Sequence, residues 1–313
     1  PDLEDISEDC LTLNVWTENL TGKEKWPVLV WIYGGSNRNG FSHEPNYHGH
    51  RVATKGVVFV SINYRVGALG FMSHPAFTAE SEHHSSGNYG LLDQIKALQW
   101  IKNNIEHFGG DPEAVTISGE SAGAGNSANL IASPLADGLF RNAILQSGGM
   151  RMSYRPNLAD NEMVGESLAS ALGVDVSRDV AQQLRAMPAL NIMQKQTEVI
   201  SSYNDVVEDG WVLPSSARSR VESGKHNRVN LLTGSNAQEW LMYFSTSSGE
   251  KEYQEALEYY GVSNALSLRQ LLDASALSSI EKRDLISSAS AFHVFPPYFA
   301  GGIHSVPFTH LPG

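Results

Sequence analysis

The sequence is poor in three features that would each define a class of protein: cysteine, long apolar runs and positive charge. Cys10 is the one cysteine among 313 residues, so no intrachain disulfide can form and the usual cysteine spacing of a zinc site is absent. No stretch of about 18 apolar residues occurs, so the sequence predicts no transmembrane helix. Lysine and arginine number 22 against 34 aspartates and glutamates, which gives a net charge of −12. Nucleic-acid-binding surfaces need clustered positive charge, so we expect no nucleic-acid partner.

What is present is an ordinary globular composition, with 41% hydrophobic and 18% charged residues. The eleven histidines include a pair at 83–84 and a group at 43, 48 and 50, which we interpret as solvated loop residues and not as metal ligands. Pro1 opens in an acidic segment with neither an initiator methionine nor a signal peptide, so we expect a mature form or a fragment.

Short β-rich runs alternate with helical stretches, a pattern typical of a mostly parallel central sheet with helices on both faces. The helical period is clearest in Gly90–His107, where apolar residues recur every three or four positions. The region at about 151–208 is rich in helical sequence and resembles an insertion or lid. Strands are predicted at Leu11–Trp16, Pro27–Tyr33, Val57–Tyr64, Ala114–Ser118, Asn142–Gln146 and Val229–Thr233.

A five-residue motif, Gly119-Glu120-Ser121-Ala122-Gly123, follows the predicted strand that ends at Ser118. A G-x-S-x-G string is weak evidence by itself, but a helix of small residues begins at about Ala122, and strand–turn–helix is the context that a nucleophile elbow requires. The two glycines remove side chains that would clash in so tight a turn. Such a turn places Ser121 at a helix N-terminus, where free N–H groups favour the anion formed during attack. We therefore predict that Ser121 is a catalytic nucleophile; a plain turn with an exposed serine is the alternative.

A serine nucleophile also needs backbone N–H groups aimed at the developing oxyanion. The N–H of Ala122, directly after the nucleophile, is one predicted donor. The turn Gly34-Gly35-Ser36 follows an earlier predicted strand, and we expect the N–H groups of Gly35 and Ser36 to be the others. A simple strand-ending turn is the alternative interpretation of these glycines.

Five longer segments surround these motifs: Ser7–Trp16 (SEDCLTLNVW), Pro27–Gly35 (PVLVWIYGG), Ser61–Phe71 (SINYRVGALGF), Gly87–Gly123 and Leu139–Gly149 (LFRNAILQSGG). With these segments the sequence resembles the type-B carboxylesterase/cholinesterase family, from Ser7 to about Gly149 and again from Asp209 to Trp240. The resemblance implies an α/β-hydrolase fold in a single domain, ester hydrolysis through a Ser-His-Glu triad, and no cofactor.

The resemblance also assigns roles residue by residue. Ser121 matches the family's nucleophile, and the three donors predicted above match its oxyanion donors. Gly234–Trp240 (GSNAQEW) is similar to the family's G-x-N-x-x-E-G, which places Glu239 on the acid of the triad. Glu239 also follows the predicted strand at 229–233, where hydrolases of this fold carry the acid. A solvated surface glutamate is the alternative.

The sequence departs from the family pattern at the oxyanion loop, which usually reads G-G-G-F but here reads Gly34-Gly35-Ser36-Asn37. Serine adopts a positive φ less readily than glycine, so the loop is either displaced or adapted to another substrate. Trp240 replaces the glycine that usually follows the acid. The family segment before SEDC, with the usual disulfide partner of Cys10 and the choline-binding tryptophan, has no counterpart here, so choline preference is not readable.

The triad histidine should follow one more strand, in a family segment that resembles G-x-x-H-G-x-E-I-P-Y-V-F. Its best match is the shorter Gly301–Phe308 (GGIHSVPF), so His304 is the predicted base. His304 follows Glu239 by 65 residues (304 − 239), fewer than is usual in the family, and no strand is visible directly before it. We therefore expect that a segment is missing near Ala300-Gly301. The other candidates for the base are His310 and then His293.

These residues predict a serine carboxylic-ester hydrolase that acts on a small-molecule ester through an acyl-enzyme intermediate. A non-catalytic cholinesterase-like binding or adhesion protein and a truncated, inactive esterase homologue stay open. Ser121 argues against the first, while the altered loop leaves room for it. The resemblance implies secretion or another location outside the cytoplasm, and Asn19-Leu20-Thr21 is a glycosylation sequon. The identity of the ester and the oligomeric state are not readable from the sequence.

Overall fold

The computed structural model describes residues 7–148, 157–199, 206–236, 239, 250–251, 253–254, 278–283 and 303–305. Within these ranges seven strands form one sheet, in the order β1-β3-β2-β4-β5-β6-β7. β1 pairs antiparallel with β3, and all other pairings are parallel, which confirms the predicted mostly parallel sheet. The strands are β1 (Leu13–Trp16), β2 (Trp26–Ile32), β3 (Val58–Ile62), β4 (Gly110–Glu120), β5 (Asn142–Gln146), β6 (Asn230–Gly234) and β7 (Ile303–Ser305).

The helices occupy the connections between these strands. They are α1 (His50–Ala53), α2 (Gly67–Phe71), α3 (Pro75–Glu80), α4 (Tyr89–Asn104), α5 (Ala122–Ala132), α6 (Leu158–Ala171), α7 (Val180–Ala186), α8 (Ala189–Val199) and α9 (Ala217–Glu222), with short 3₁₀ segments at Pro45–Tyr47, Ile105–Phe108 and Pro134–Ala136. Among the helices that the structure describes, none has both the length and the apolar character needed to cross a membrane.

The sheet is covered on both faces, as the continuous apolar runs of its strands predict. All five residues of β3 are buried, and because successive side chains of a strand point to opposite faces, both faces must be packed. The apolar stripe of α4 contributes Leu91, Leu98 and Ile101 to the same core as β2 and β3. The helical period seen in the sequence at 90–107 is therefore the face that α4 buries against the sheet.

Five strands lie where the sequence predicts them, with ends that agree within two residues, and the other two differ more from the prediction. β4 begins at Gly110 and not at Ala114, because Trp26 of β2 pairs with Gly110 across an irregularity in the register. β7 was not predicted as a strand. It is three residues long, which is too short for the alternation that marks a half-buried strand.

The described part of the region 151–208 contains the helices α6, α7 and α8, in agreement with the helical sequence there. These helices pack on α2 through a second apolar cluster. The N–H of Ala68, in α2, also donates a 2.7 Å hydrogen bond to Oε1 of Gln196, in α8. The members of the cluster are Ala68, Met72, Leu168, Ala169, Leu184 and Ile192.

Candidate active site

Ser121 stands alone between the last residue of β4 and the first residue of α5. Its backbone has φ 54° and ψ −121°, a conformation that a residue with a Cβ rarely adopts. Two backbone hydrogen bonds hold it: the N–H of Ser121 donates to the carbonyl of Gln146 at 2.9 Å, and its own carbonyl accepts from Gly125 at 3.0 Å. The residue is half-buried, so the turn presents the side chain without sealing it in the core.

Close backbone contacts explain the glycines around the serine. A Cβ on Gly119 would lie 2.4 Å from the carbonyl carbon of Gly123, and a Cβ on Gly123 would lie 2.0 Å from the carbonyl oxygen of Ile32. A Cβ on Gly148 would lie 2.0 Å from the carbonyl oxygen of Ser121. The predicted clash of side chains on either side of the serine is therefore confirmed, and a third glycine, after β5, is required as well.

The loop after β2 passes directly against this turn. A Cβ on Gly34 would lie 2.8 Å from the carbonyl oxygen of Glu120 and 3.2 Å from Cβ of Ser121. Gly35 has φ 102°, Ser36 has φ 57° and both residues are exposed. The positive φ that the sequence makes difficult at Ser36 is thus adopted, and the loop stays beside the nucleophile turn.

The third predicted donor, Ala122, is the first residue of α5. N–H groups in the first turn of a helix have no acceptor within the helix, so they are available to an anion at this position. The structure therefore places Ala122 directly after Ser121, and Gly34 brings the loop that contains Gly35 and Ser36 against the same turn. Donation by these three N–H groups to an oxyanion stays a prediction.

A buried pair of amides beside the loop was missed by the sequence analysis. Nδ2 of Asn126, in α5, donates to Oδ1 of Asn37 at 2.8 Å, and Nδ2 of Asn37 donates to Oδ1 of Asn126 at 3.3 Å. The hydroxyl of Tyr64 lies 3.4 Å from Oδ1 of Asn37, and the N–H of Gly67 donates to the carbonyl of Asn37 at 2.6 Å. The one signal in the sequence was an asparagine where the family usually has phenylalanine.

Two stacked tyrosines form the floor under this loop. The hydroxyl of Tyr33 donates to the carbonyl of Tyr64, and the hydroxyl of Tyr64 donates to the carbonyl of Tyr33, both at 2.8 Å. Their ring centroids are 4.3 Å apart. Burial raises the pKa of the Tyr64 hydroxyl well above its ordinary value, so this group stays a neutral donor.

Glu239 lies at the same edge of the sheet as Ser121. Glu120, Gln146 and Gly234 occupy one row at the carboxyl ends of β4, β5 and β6. Beyond that row, the N–H of Asn236 donates to Oε1 of Glu239 at 2.6 Å. Ligand sites of parallel sheets form at this edge, so the location suits the predicted acid of the triad, which stays a prediction.

A second carboxylate, that of Glu120, lies close enough to Glu239 to interact with it electrostatically. Partial loss of surrounding water raises the pKa of Glu120, and the negative charge of Glu239 raises it further. Glu120 also lies against the oxyanion loop, since a Cβ on Gly34 would be 3.3 Å from its Oε2. The site is therefore acidic on the side of β4 and β6.

The structure places His304 in the centre of β7, opposite Leu232 of β6 and level with Ser118 of β4. The predicted base was expected to follow a strand, whereas its backbone lies inside one. The His304 side chain, both alternative histidines (His310 and His293), Trp240 and the predicted break at Ala300-Gly301 all lie outside the described residues.

The glycosylation sequon at Asn19 does not have the geometry of a modified site. Asn19 is 8% exposed, and its Nδ2, the atom that would carry a glycan, donates to the carbonyls of Glu24 and Gly109. The sequon is therefore a chance match in the folded chain. Within the part of the chain that the structure describes, no group of three or more His, Cys, Asp or Glu side chains is placed to hold a metal.

The fold of this chain is shared with a solved esterase structure. A solved structure of a PNB esterase superimposes with a TM-score of 0.76 and 30% identity, covering 92% of this chain and 61% of that chain. Together with the sheet order, this likeness establishes the α/β-hydrolase fold.

Two relatives in sequence are named as esterases. The fumonisin B1 esterase of Sphingopyxis macrogoltabida is 40% identical over 74% of this chain and 43% of its own length. The para-nitrobenzyl esterase of Bacillus subtilis (strain 168) is 34% identical over 81% of this chain and 52% of its own length. The chain thus spans about half the length of the curated relatives it matches. The model of the carboxylesterase family matches residues 1–289, and the chain belongs to that family.

Proposed function

We propose that this protein is a serine carboxylic-ester hydrolase, with Ser121 as the nucleophile. The observation that carries the proposal is the strained turn at Ser121, with φ 54° and ψ −121°, against which the loop of Gly34 packs. A strained backbone that presents a half-buried hydroxyl between two sources of N–H groups is costly to maintain for structure alone. It is the arrangement that acyl transfer to a serine needs.

The proposed reaction proceeds through an acyl-enzyme. Oγ of Ser121 attacks the ester carbonyl carbon while its proton moves to the imidazole of His304, and the carbonyl π electrons move onto oxygen. The N–H groups of Gly35, Ser36 and Ala122 stabilise that oxyanion. Collapse of the intermediate breaks the bond to the alcohol, which leaves with the proton held by the imidazole. Water then attacks the acyl-enzyme by the same steps and releases the carboxylic acid.

Glu239 is the proposed acid that orients the imidazole and stabilises its charged form. Its support is its place after β6, at the edge of the sheet where β4 ends in the nucleophile turn. The order of β4, β6 and β7 across the sheet is the order of the proposed nucleophile, acid and base along the chain. His304 belongs to β7, so its imidazole has to reach the carboxyl edge from that strand.

The proposed substrate is a small-molecule ester, since the related fumonisin B1 and para-nitrobenzyl esterases are named for such compounds. We extend the proposal to the organisation of the chain, as a single hydrolase domain with a helical insertion or lid region at about 151–208. Function outside the cytoplasm is proposed from the family resemblance alone, because the buried Asn19 removes the sequon as support.

Hydrolysis of p-nitrophenyl acetate and butyrate by the purified full chain tests this proposal. The wild type should turn over both esters. Ser121→Ala should be inactive, while its circular dichroism spectrum should match that of the wild type. Ser170→Ala, an exposed serine of α6, is the matched control and should keep wild-type activity. Activity retained in Ser121→Ala would rule out the nucleophile, and an inactive wild type would favour the binding-protein or inactive-homologue alternatives.

The same assay assigns the base. His304→Ala should lose activity, whereas His310→Ala and His293→Ala should retain it. If His304→Ala stays active while His310→Ala or His293→Ala loses activity, the base is the histidine replaced in the inactive variant.

A further inference from the structure

The predicted oxyanion donors come from two separate elements, and a buried side-chain contact joins the loop after β2 to α5. We propose that Asn37 and Asn126 are a positioning pair that fixes the distance between the two groups of donors. The inference rests on the proposed esterase function and adds to it two residues outside the triad.

The placement of the two asparagines supports this role. Asn37 directly follows Ser36, the last donor of the loop after β2. Asn126 lies four residues after Ala122 in α5, so the two residues share one face of the helix, a single turn apart. The amide contact therefore joins Asn37, next to the donor Ser36, to Asn126, one helical turn after the donor Ala122.

The geometry of the contact fixes orientation as well as distance. Two antiparallel hydrogen bonds, of 2.8 and 3.3 Å, join the same pair of amide groups. Asn37 is 7% exposed and Asn126 is 1% exposed. Hydrogen bonds strengthen in so dry a setting, and loss of either side chain breaks both bonds of the pair.

The loop has a physical need for such a tether. Ser36 and Asn37 both adopt positive φ, at 57° and 56°, where residues with a Cβ are disfavoured. Asparagine tolerates this conformation better than most residues, and here its side chain also holds the loop against α5. The chain thus lacks the third glycine of the usual family loop and has instead a loop held by side-chain hydrogen bonds.

A double-mutant cycle in catalysis tests the pair, using Asn126→Ala, Asn37→Gly and the double variant. Glycine at position 37 permits φ 56° without strain, so Asn37→Gly removes the amide and spares the backbone conformation. Complete removal of one oxyanion donor costs about 100-fold or more in kcat, so a displaced donor should cost about tenfold. Each single variant should lose this factor in kcat for p-nitrophenyl acetate with KM little changed, and the double variant should lose no more than the worse single one.

A second readout separates positioning from mere stability. A trifluoromethyl ketone forms a tetrahedral oxyanion on the nucleophile, so its affinity should fall by the same factor as kcat, while the matched methyl ketone should be unaffected. Asn161→Ala is the control, because Asn161 is 6% exposed and its Nδ2 donates to the carbonyl of Phe71 and to Oγ of Ser73. It should lower the melting temperature but leave kcat and ketone affinity unchanged.

Failure of the positioning role and failure of the proposed esterase function give different results in these assays. If wild type is active and Ser121→Ala is not, but Asn126→Ala and Asn37→Gly keep wild-type kcat, the pair has no positioning role. Losses that multiply in the double variant also overturn the inference, because they show two independent effects. Should Asn126→Ala not fold, Asn37→Gly alone decides, with the same two readouts. An inactive wild type removes the proposed function itself and this inference with it.

Discussion

The strained backbone of Ser121 should make the proposed nucleophile a source of instability. At φ 54° and ψ −121°, the Cβ of Ser121 is held in a sparsely populated region that glycine enters freely. We therefore expect Ser121→Gly to abolish esterase activity and to stabilise the fold. Ser121→Ala is the matched control, because it also removes the hydroxyl but keeps the Cβ that causes the strain.

The size of the effect follows from two opposing terms. A non-glycine residue in such a region costs about 1–3 kcal/mol, which glycine would relieve. Glycine loses more backbone entropy on folding, which costs about 0.5–1 kcal/mol. The hydrogen bonds of the turn use the N–H and carbonyl of residue 121, and glycine keeps both. Ser121→Gly should thus exceed Ser121→Ala in stability by about 1 kcal/mol, or about 2 °C in melting temperature for a chain of this size.

Urea unfolding and thermal unfolding of the three proteins measure this difference directly. The order of stability should be Ser121→Gly above Ser121→Ala, with wild type close to the alanine variant. A glycine variant equal to or less stable than the alanine variant would show that the turn is not strained and would remove the energetic part of the reasoning.

Three further variants test contacts around the site. Gly123→Ala should lower the free energy of unfolding by about 3 kcal/mol in urea titration, because its Cβ would lie 2.0 Å from a backbone oxygen of β2 that cannot move freely; unchanged stability would contradict the close approach. Asp93→Asn should lower the free energy of unfolding by about 2 kcal/mol in the same titration, because the carboxylate of Asp93 is 6% exposed and accepts two hydrogen bonds from the Arg65 guanidinium. The 38% exposure of the Arg65 side chain reduces the loss. A loss near zero would mean that the ion pair is not stabilising. Glu120→Gln should raise the melting temperature at pH 7 but not at pH 4. The pKa of Glu120 is raised in the folded state, so the wild type loses stability as the pH rises through the ordinary glutamate range. Glutamine does not titrate, so the variant is spared this loss. An equal difference at both pH values would show that the charge of Glu120 is not the cause.

The features that the sequence predicted best are those set by neighbouring residues. The nucleophile turn depends on the glycines two positions before and after Ser121. In the structure, a Cβ at either of these positions would clash with neighbouring backbone atoms. The strand Asn142–Gln146 was also predicted with its observed ends, and the helix that follows Ser121 with its observed start. Both elements are short, continuous segments whose residue types favour their structure, so no contact with a distant part of the chain was needed to predict them.

Contacts between distant parts of the chain could not be predicted in this way. Asn37 and Asn126 are 89 residues apart, and an asparagine in a loop and another in a helix carry no sign of mutual pairing. The start of β4 was misplaced for a related reason, because Gly110 and Pro112 look like a turn and become a strand only through pairing with β2. β7 forms a strand through its pairing with β6, and its three residues carry no pattern that predicts a strand.

The central claim is that the hydroxyl of Ser121 is the group that becomes acylated. Incubation of the purified full chain with a fluorophosphonate probe, followed by proteolysis and mass spectrometry, tests it most directly. The account predicts one probe molecule per chain on the peptide that contains Ser121, formed more slowly while excess p-nitrophenyl ester is present and absent in Ser121→Ala. Labelling at another residue, or hydrolysis of the ester by a chain that the probe leaves unmodified, would contradict it.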